Sequence, residues 1–228
     1  MHSFMLNNSL AATSTLFKNE SIFAADGKEC NVKELDGCGD YLQSHCTARA
    51  YSRLRYNEEA TVFTALGCGC SNRVYCIDEC FNELGYTQIN NPERRACDNM
   101  MTDVSLTFSE GERFFVASFE KSAFLFDACG NPLQKVCQAD NNESIIGFIP
   151  LGVEKYAFAV RKNGLTVITV ADRCRSQSVT VDNSASLRML FKSGNTVFGL
   201  FGYSYIYNRI VPIYTNGILT VENYCTSC

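Results

Sequence analysis

The amino-acid sequence predicts an all-β fold built from five repeated units, and three observations support this prediction. One pattern of apolar and polar residues recurs five times along the 228 residues. Short runs rich in β-branched and aromatic residues, such as VFTAL and FFVASF, alternate with polar turns, as strands do. Helical periodicity is scarce. Four short strands in each unit of about 40 to 50 residues are typical of one propeller blade, so we predict a five-bladed β-propeller.

The repeated pattern ends its first apolar run on a small residue and later places an Asp at a fixed point. The small residue is Ala25, Ala65 and Ala117 in the first three units. The later positions are Asp36, Asp78, Asp127, Asp172 and Ile213, which lie 42, 49, 45 and 41 residues apart. We therefore place a single domain at 1–228, with repeats at roughly 14–50, 51–104, 105–144, 145–184 and 185–228. Residues 1–13 are expected to complete the last blade.

The segment that begins with the Asp is similar in the first three units, where it reads DGCGDYL, DECFNEL and DACGNPL. An Asp side chain accepts a hydrogen bond from the backbone N–H two residues later, which closes an Asx-turn. We interpret the segment as a corner between the third and fourth strands of a blade. The Cys would be a small apolar plug, and the final Leu would return the chain to the apolar layer. The alternative is a metal or redox motif used three times.

On these repeats the chain resembles the β-propeller superfamily over nearly its whole length, although it contains no Trp and none of the named blade signatures. In style it is similar to uncharacterised Cys-rich repeat proteins of anaerobic bacteria. The resemblance implies a rigid scaffold and a bacterial origin, and it assigns no functional residue.

Composition and charge disfavour two classes of partner. The net charge is −4 and charged residues make up 19% of the chain, whereas nucleic acid requires a basic surface. No stretch approaches the roughly 18 apolar residues of a membrane span. The N-terminal MHSFMLNNSLAATSTLF has neither a basic leader nor an unbroken apolar run. We expect no nucleic acid, no membrane insertion and a cytoplasmic location, with incorporation into a coat or surface layer as the alternative.

The thirteen cysteines include one closely spaced group in CGCSNRVYCIDEC, which comprises Cys68, Cys70, Cys76 and Cys80. Thiolates this close can bind Zn²⁺ or an iron–sulfur cluster. The strand RVYCID, however, spans roughly 20 Å, so one ion with bonds of about 2.3 Å to sulfur cannot hold both of its ends. Cys68 and Cys70, joined by Cys46 or Cys97, stay weak metal candidates. We expect no other metal and no cofactor.

The number of cysteines is odd, so at least one thiol has no partner within the chain. Cys225 and Cys228 in the C-terminal CTSC are candidates for a covalent cross-link to another molecule. The alternative is an unconstrained tail.

The sequence gives little support for catalysis. His2 and His45 are its two histidines, and it contains no Gly-rich phosphate loop and no Ser nucleophile elbow. The carboxylates lie mainly in turns, where solvation explains them, and the innermost strands offer mainly apolar residues. We therefore expect a protein that is not an enzyme.

Two segments are candidates for binding. Tyr203, Tyr205 and Tyr207 in YSYIYNR lie on one face of a strand, where aromatic rings can stack on sugars or pack against a partner. Arg94 and Arg95 lie in the longest segment between two blades, residues 90–104, and long loops on rigid scaffolds often carry function. The alternatives are a hairpin packed on its neighbour and a tolerated insertion.

Three functions follow from these observations. The first is a non-catalytic scaffold that presents loops to a protein or glycan partner, and it predicts a stable monomer. The second is a Cys-rich structural protein that is cross-linked into a coat or surface layer, and it predicts homo-oligomers that depend on oxidation. The third is a metal-binding propeller.

Overall fold

The computed structural model describes residues 4–6, 14–18, 21–25, 28–36, 40–67, 72–92, 101–152, 154–172, 175–181, 186–202 and 208–220. These residues form β-strands joined by short turns, and no helix long and apolar enough to cross a membrane occurs among them.

The strands are named in chain order. They are β1 (Phe4–Leu6), β2 (Ser14–Lys18), β3 (Ser21–Ala25), β4 (Asn31–Leu35), β5 (Tyr41–Cys46), β6 (Tyr51–Asn57), β7 (Val62–Gly67), β8 (Arg73–Ile77), β9 (Glu83–Gln88), β10 (Asp103–Ser109), β11 (Glu112–Ser118), β12 (Ser122–Phe126), β13 (Pro132–Gln138), β14 (Glu143–Pro150), β15 (Tyr156–Lys162), β16 (Leu165–Ala171), β17 (Ser176–Val181), β18 (Ser186–Ser193), β19 (Thr196–Gly202), β20 (Asn208–Thr215) and β21 (Ile218–Leu219).

The strands form five antiparallel sheets, which are the five blades. Blades 1 to 4 each contain four consecutive strands, beginning with β2, β6, β10 and β14. Blade 5 contains β18, β19 and β20, and the outer edge of β20 is shared by two short strands. β1 pairs with the first part of β20, and β21 pairs with the last part of β20. The N-terminal strand therefore completes the last blade, as the sequence predicts.

The blades close into a ring around their innermost strands. β2 contacts β6, β6 contacts β10, β10 contacts β14, β14 contacts β18, and β18 contacts β2 again. The predicted all-β fold and the five-bladed β-propeller are both confirmed.

The hydrophobic core lies between neighbouring blades. The small residue of the repeated pattern is buried in the first four units, at Ala25, Ala65, Ala117 and Ala159. One cluster, which includes Phe23 and Phe63, fills the space between blades 1 and 2. Others fill the spaces between blades 2 and 3 and between blades 3 and 4. The cluster of blades 4 and 5 also contains Ile22 and Leu35 of blade 1, so the core follows the closed ring.

The segment that begins with Asp forms a corner between the third and fourth strands, as interpreted from the sequence. Oδ1 of Asp78 accepts hydrogen bonds from the backbone N–H groups of Cys80 at 2.9 Å and Asn82 at 2.8 Å. Asp127 makes the same two bonds in blade 3. Hydrogen bonds from the side chain and backbone of Asn82 hold the pKa of Asp78 below its usual range. Each Asp is therefore a structural acceptor.

The predicted apolar plug of the corner is wrong, because Cys80 and Cys129 are exposed. The buried residue is the next one, which is Phe81 in blade 2 and Gly130 in blade 3. Both adopt positive φ, 66° and 85°, so the turn directs the Cys outward. The ring of Phe81 stacks on Phe63 at 5.0 Å between ring centroids. The burial of this ring offsets a backbone conformation that disfavours a side chain.

Candidate functional site

The site residues predicted from the sequence lie outside the described part of the chain. They are Tyr203, Tyr205, Tyr207, Arg94, Arg95, Cys68, Cys70, Cys225 and Cys228. Their roles stay predictions. Among the described residues, no group of three or more His, Cys, Asp or Glu side chains is placed to hold a metal ion.

The described residues instead reveal an apolar surface on the outside of the ring, which we call the rim surface. It consists of large exposed side chains on the outermost strands of blades 1 to 3, and its members are Tyr41, Leu42, Leu84, Tyr86 and Leu133. Elsewhere in the described part of the chain, Leu165 and Ile218 are the large apolar side chains exposed to this degree. Of the exposed large apolar side chains in this part of the chain, two lie on each of blades 1 and 2, and one lies on each of blades 3, 4 and 5.

The three leucines of the rim surface correct a prediction, because the sequence pattern placed them in the apolar layer. Leu42, Leu84 and Leu133 are 53%, 61% and 54% exposed. The reason is a shift of register. Cys76 pairs with Gly85 whereas Ile77 pairs with Glu83, so Leu84 is an extra residue in the outermost strand. Leu42 and Leu133 are extra residues at the equivalent points, and such a β-bulge redirects side chains.

In blade 2 the rim surface rests on a fixed aromatic support. The guanidinium of Arg73 lies 4.7 Å from the ring centroid of Tyr86, and the ring of Tyr75 lies 5.8 Å from the same centroid. Tyr75 is buried, and a Cβ atom on Gly67 would come within 2.8 Å of its ring. The absence of a side chain at Gly67 therefore leaves room for the ring of Tyr75, and this ring lies against Tyr86.

A charged group borders this support. Arg49 donates from Nε and Nη2 to the two carboxylate oxygens of Glu83, at 2.9 and 3.2 Å, and from Nη1 to Tyr75 at 3.1 Å. The hydroxyl of Tyr51 donates to Glu83 at 3.3 Å. Burial, together with the charge of Glu83, raises the pKa of Tyr51 to about 12, so Tyr51 stays a hydrogen-bond donor at neutral pH. The side chain of Arg49 remains 43% exposed and accessible.

The chemistry of this region suits recognition. Tyr and Arg side chains held in one conformation are enriched among the residues that dominate protein interfaces, and aromatic rings supply contact area at a low cost in conformational entropy. Sequence reasoning missed the region because the exposure of Leu84 depends on the bulge. The recurrence of Leu at one position of three repeats was the signal that could have found it.

The described cysteines divide into two groups. Cys30, Cys46, Cys80 and Cys129 are exposed, and Cys76 and Cys137 are partly buried. All six are free thiols. Burial raises the pKa of Cys137 to about 11, so this thiol is a poor nucleophile at neutral pH.

Comparison with known proteins supports the fold alone. No protein-family model and no curated protein matches the sequence. Similar solved structures include a member of the duf4221 family from Bacteroides vulgatus, with a TM-score of 0.56 and 7% identity over 92% of this chain and 95% of that one. The Dos1 propeller has a TM-score of 0.48 and 12% identity, over 80% of this chain and 50% of that one. Kuenenia stuttgartiensis hydrazine synthase has a TM-score of 0.49 and 11% identity, over 82% and 60%. The chain spans half and three fifths of the lengths of the last two.

Proposed function

We propose that the protein is a non-catalytic scaffold that binds a protein partner through the rim surface of blades 1 to 3. One observation carries the proposal, which is that the outermost strands of blades 1 to 3 each present large exposed apolar side chains, with two on each of blades 1 and 2. Removing one such side chain from water contributes roughly 1.5–3 kcal/mol. Exposed apolar side chains that lie close together, as Leu84 and Tyr86 do on β9, are candidates for a binding site.

The bulges favour contact through side chains over the addition of a strand. An exposed sheet edge can pair with a strand of another chain, and bulges disrupt that pairing. The bulges at Leu42, Leu84 and Leu133 interrupt the outer strands at equivalent points. A partner therefore packs on Leu84 and Tyr86, and the exposed guanidinium of Arg49 lies nearby for a polar contact.

The double variant Leu84→Ser/Tyr86→Ser is expected to weaken partner binding by about tenfold or more, because it removes two apolar anchors. Its stability should stay within about 1 kcal/mol of the wild type, since both side chains are exposed and Tyr86 loses only its surface contacts with Arg73 and Tyr75. Proteins retained by the immobilised wild-type chain are identified by mass spectrometry, and the affinity of the purified partner is then titrated against each variant.

The matched control is Leu165→Ser/Ile218→Ser, which removes two exposed apolar side chains from blades 4 and 5. The control should bind like the wild type. Equal losses in both double variants, or a wild-type chain that retains no protein specifically, would contradict the proposal. If the wild-type chain binds members of a glycan panel and Leu84→Ser/Tyr86→Ser does not, the partner is a glycan and not a protein.

A second function, a structural protein cross-linked through its thiols, is supported by the four exposed cysteines among the six described. It predicts multimers under oxidising conditions that return to monomers with reductant, measured as solution mass by light scattering. Cys80→Ser/Cys129→Ser should then reduce cross-linking, whereas Cys137→Ser should not, because Cys137 is partly buried. A monomer of constant mass in both conditions would contradict this second function.

A further inference from the structure

A cavity of about 320 Å³ lies where the innermost strands of blades 2 to 5 end. Its walls come from the ends of β6, β10, β14 and β18 and from the turns that follow some of them, so it lies at the ring centre on one face. Glu58, in the turn of blade 2, accepts a hydrogen bond from the backbone N–H of Gly194, in the turn of blade 5, at 3.4 Å. This contact joins the turns of blades 2 and 5 beside the cavity. We call the space the axial cavity, and its volume is at the small end of the range for ligand sites.

Two neighbouring side chains of blade 2 line the axial cavity and carry unsatisfied polar atoms. Arg55 on β6 is in register with Thr64 on β7, and their exposures are 6% and 1%. Within the part of the chain that the structure describes, Nη1 of Arg55 and Oγ1 of Thr64 have no hydrogen-bond partner. Buried polar atoms in native proteins nearly always have a partner, which is protein, water or ligand. Nε of Arg73 lacks a partner too, away from the cavity, but at Arg55 and Thr64 a polar group in the axial cavity could be the missing partner.

The charges around the axial cavity are close to balanced. Nε of Arg55 donates to Oδ1 of Asp103 at 3.2 Å, so the guanidinium already has a carboxylate partner. Lys192 also lines the axial cavity, together with Glu58 and Glu59. A ligand with a strong charge of either sign would meet a like charge here, which favours a neutral ligand.

The remaining walls combine hydroxyl groups with aromatic rings. Among the lining residues, Ser105 and Thr107 carry hydroxyls, and Tyr56 and Phe108 carry rings that are only partly buried. A sugar ring matches this combination, because its hydroxyls both donate and accept hydrogen bonds while its C–H face packs on apolar surface. We propose that the axial cavity binds one neutral sugar ring, with hydroxyl groups bonded to Nη1 of Arg55 and Oγ1 of Thr64.

The test uses the full chain and isothermal titration with glucose, galactose and N-acetylglucosamine, each as the monosaccharide and as a short oligosaccharide. At least one neutral sugar is expected to bind, and the two forms distinguish a free sugar from the end of a glycan. Thr64→Val keeps the shape of the side chain and removes Oγ1, so it should weaken binding by about tenfold. Its Tm should be unchanged or raised, since an unsatisfied hydroxyl is removed.

The matched control is Thr166→Val, a buried threonine of blade 4 that does not line the axial cavity. It should leave sugar binding unchanged. The inference is overturned if no neutral sugar binds at millimolar concentration, if glucuronate or glucosamine binds more tightly than the neutral sugars, or if Thr166→Val causes the same loss as Thr64→Val. Leu84→Ser/Tyr86→Ser should bind sugar like the wild type, so failure at the rim surface leaves this inference standing.

Discussion

Gly130→Ala is expected to lower the free energy of unfolding by about 3 kcal/mol, because the corner of blade 3 has no room for a side chain. A Cβ atom at Gly130 would overlap the backbone carbonyl of Gln88, at the end of the outermost strand of blade 2. The corner is held there by a bond from the backbone N–H of Asn90 to the carbonyl of Gly130 at 2.9 Å. Overpacking typically costs about 1–3 kcal/mol, and the φ of 85° adds roughly 1–2 kcal/mol of strain for a residue with a Cβ.

Gly111→Ala is the matched control for this prediction. Gly111 has a φ of 80°, close to that of Gly130, but a Cβ atom there would have open space around it. It should therefore lose only the backbone contribution, about 1–2 kcal/mol. Urea unfolding of both variants measures the difference, with the slope of the transition checked for constancy. Equal losses would mean that the corner moves away from Gln88 at little cost, and that the contact between blades 2 and 3 does not fix it.

The corner at Gly130 also illustrates why the fold could be predicted from the sequence. Strand order in a propeller follows chain order, so each predicted strand pairs with the next one, and a period of about 40 to 50 residues gives the number of blades. The Asx-turn at Asp78 and Asp127 is equally local, since the acceptor and its donors lie within four residues. The predicted strand order, number of blades and Asx-turn, which depend on contacts between nearby residues, were therefore confirmed.

The rim surface could not be predicted from the sequence in this way. The pattern of apolar residues indicated that Leu84 belongs to the core, and alternation alone supports that interpretation. One extra residue in the outermost strand reverses the direction of the side chain, and the pattern of apolar residues does not show where that extra residue lies. Phe81 replaces the Gly of its sibling corners for a similar reason, because its ring is stabilised by Phe63 and His45 from separate strands.

The ion pair between Arg55 and Asp103 was also invisible in the sequence, since the two residues are 48 positions apart. It joins the innermost strands of blades 2 and 3, and both side chains are almost completely buried, with exposures of 7% and 3%. Asp103 also accepts a hydrogen bond from the backbone N–H of Val104 at 2.9 Å. The pair therefore lies in the core beside the axial cavity, where charged groups are costly unless they are matched.

Arg55→Met is expected to lower the free energy of unfolding by about 3–5 kcal/mol, because it removes the guanidinium that is hydrogen-bonded to the buried carboxylate of Asp103. Lys162→Met provides the contrast. It breaks a pair with Glu143 at 2.8 Å, but the Lys162 side chain is half exposed, so little or no change is expected. Thermal and urea unfolding of the two variants measure both effects. A loss in Arg55→Met no larger than in Lys162→Met would show that water reaches Asp103.

The double variant Arg55→Met/Asp103→Leu separates stability from function. Replacing both members of a buried ion pair with apolar residues of similar size is often neutral or stabilising, so the double variant should recover most of the stability lost in Arg55→Met. It nevertheless lacks Nη1 of Arg55 and should lose sugar binding. A stable double variant that no longer binds sugar would mean that the charged pair is needed for sugar binding in the axial cavity and not for stability. A double variant as unstable as Arg55→Met would mean that the pair is needed to position blades 2 and 3.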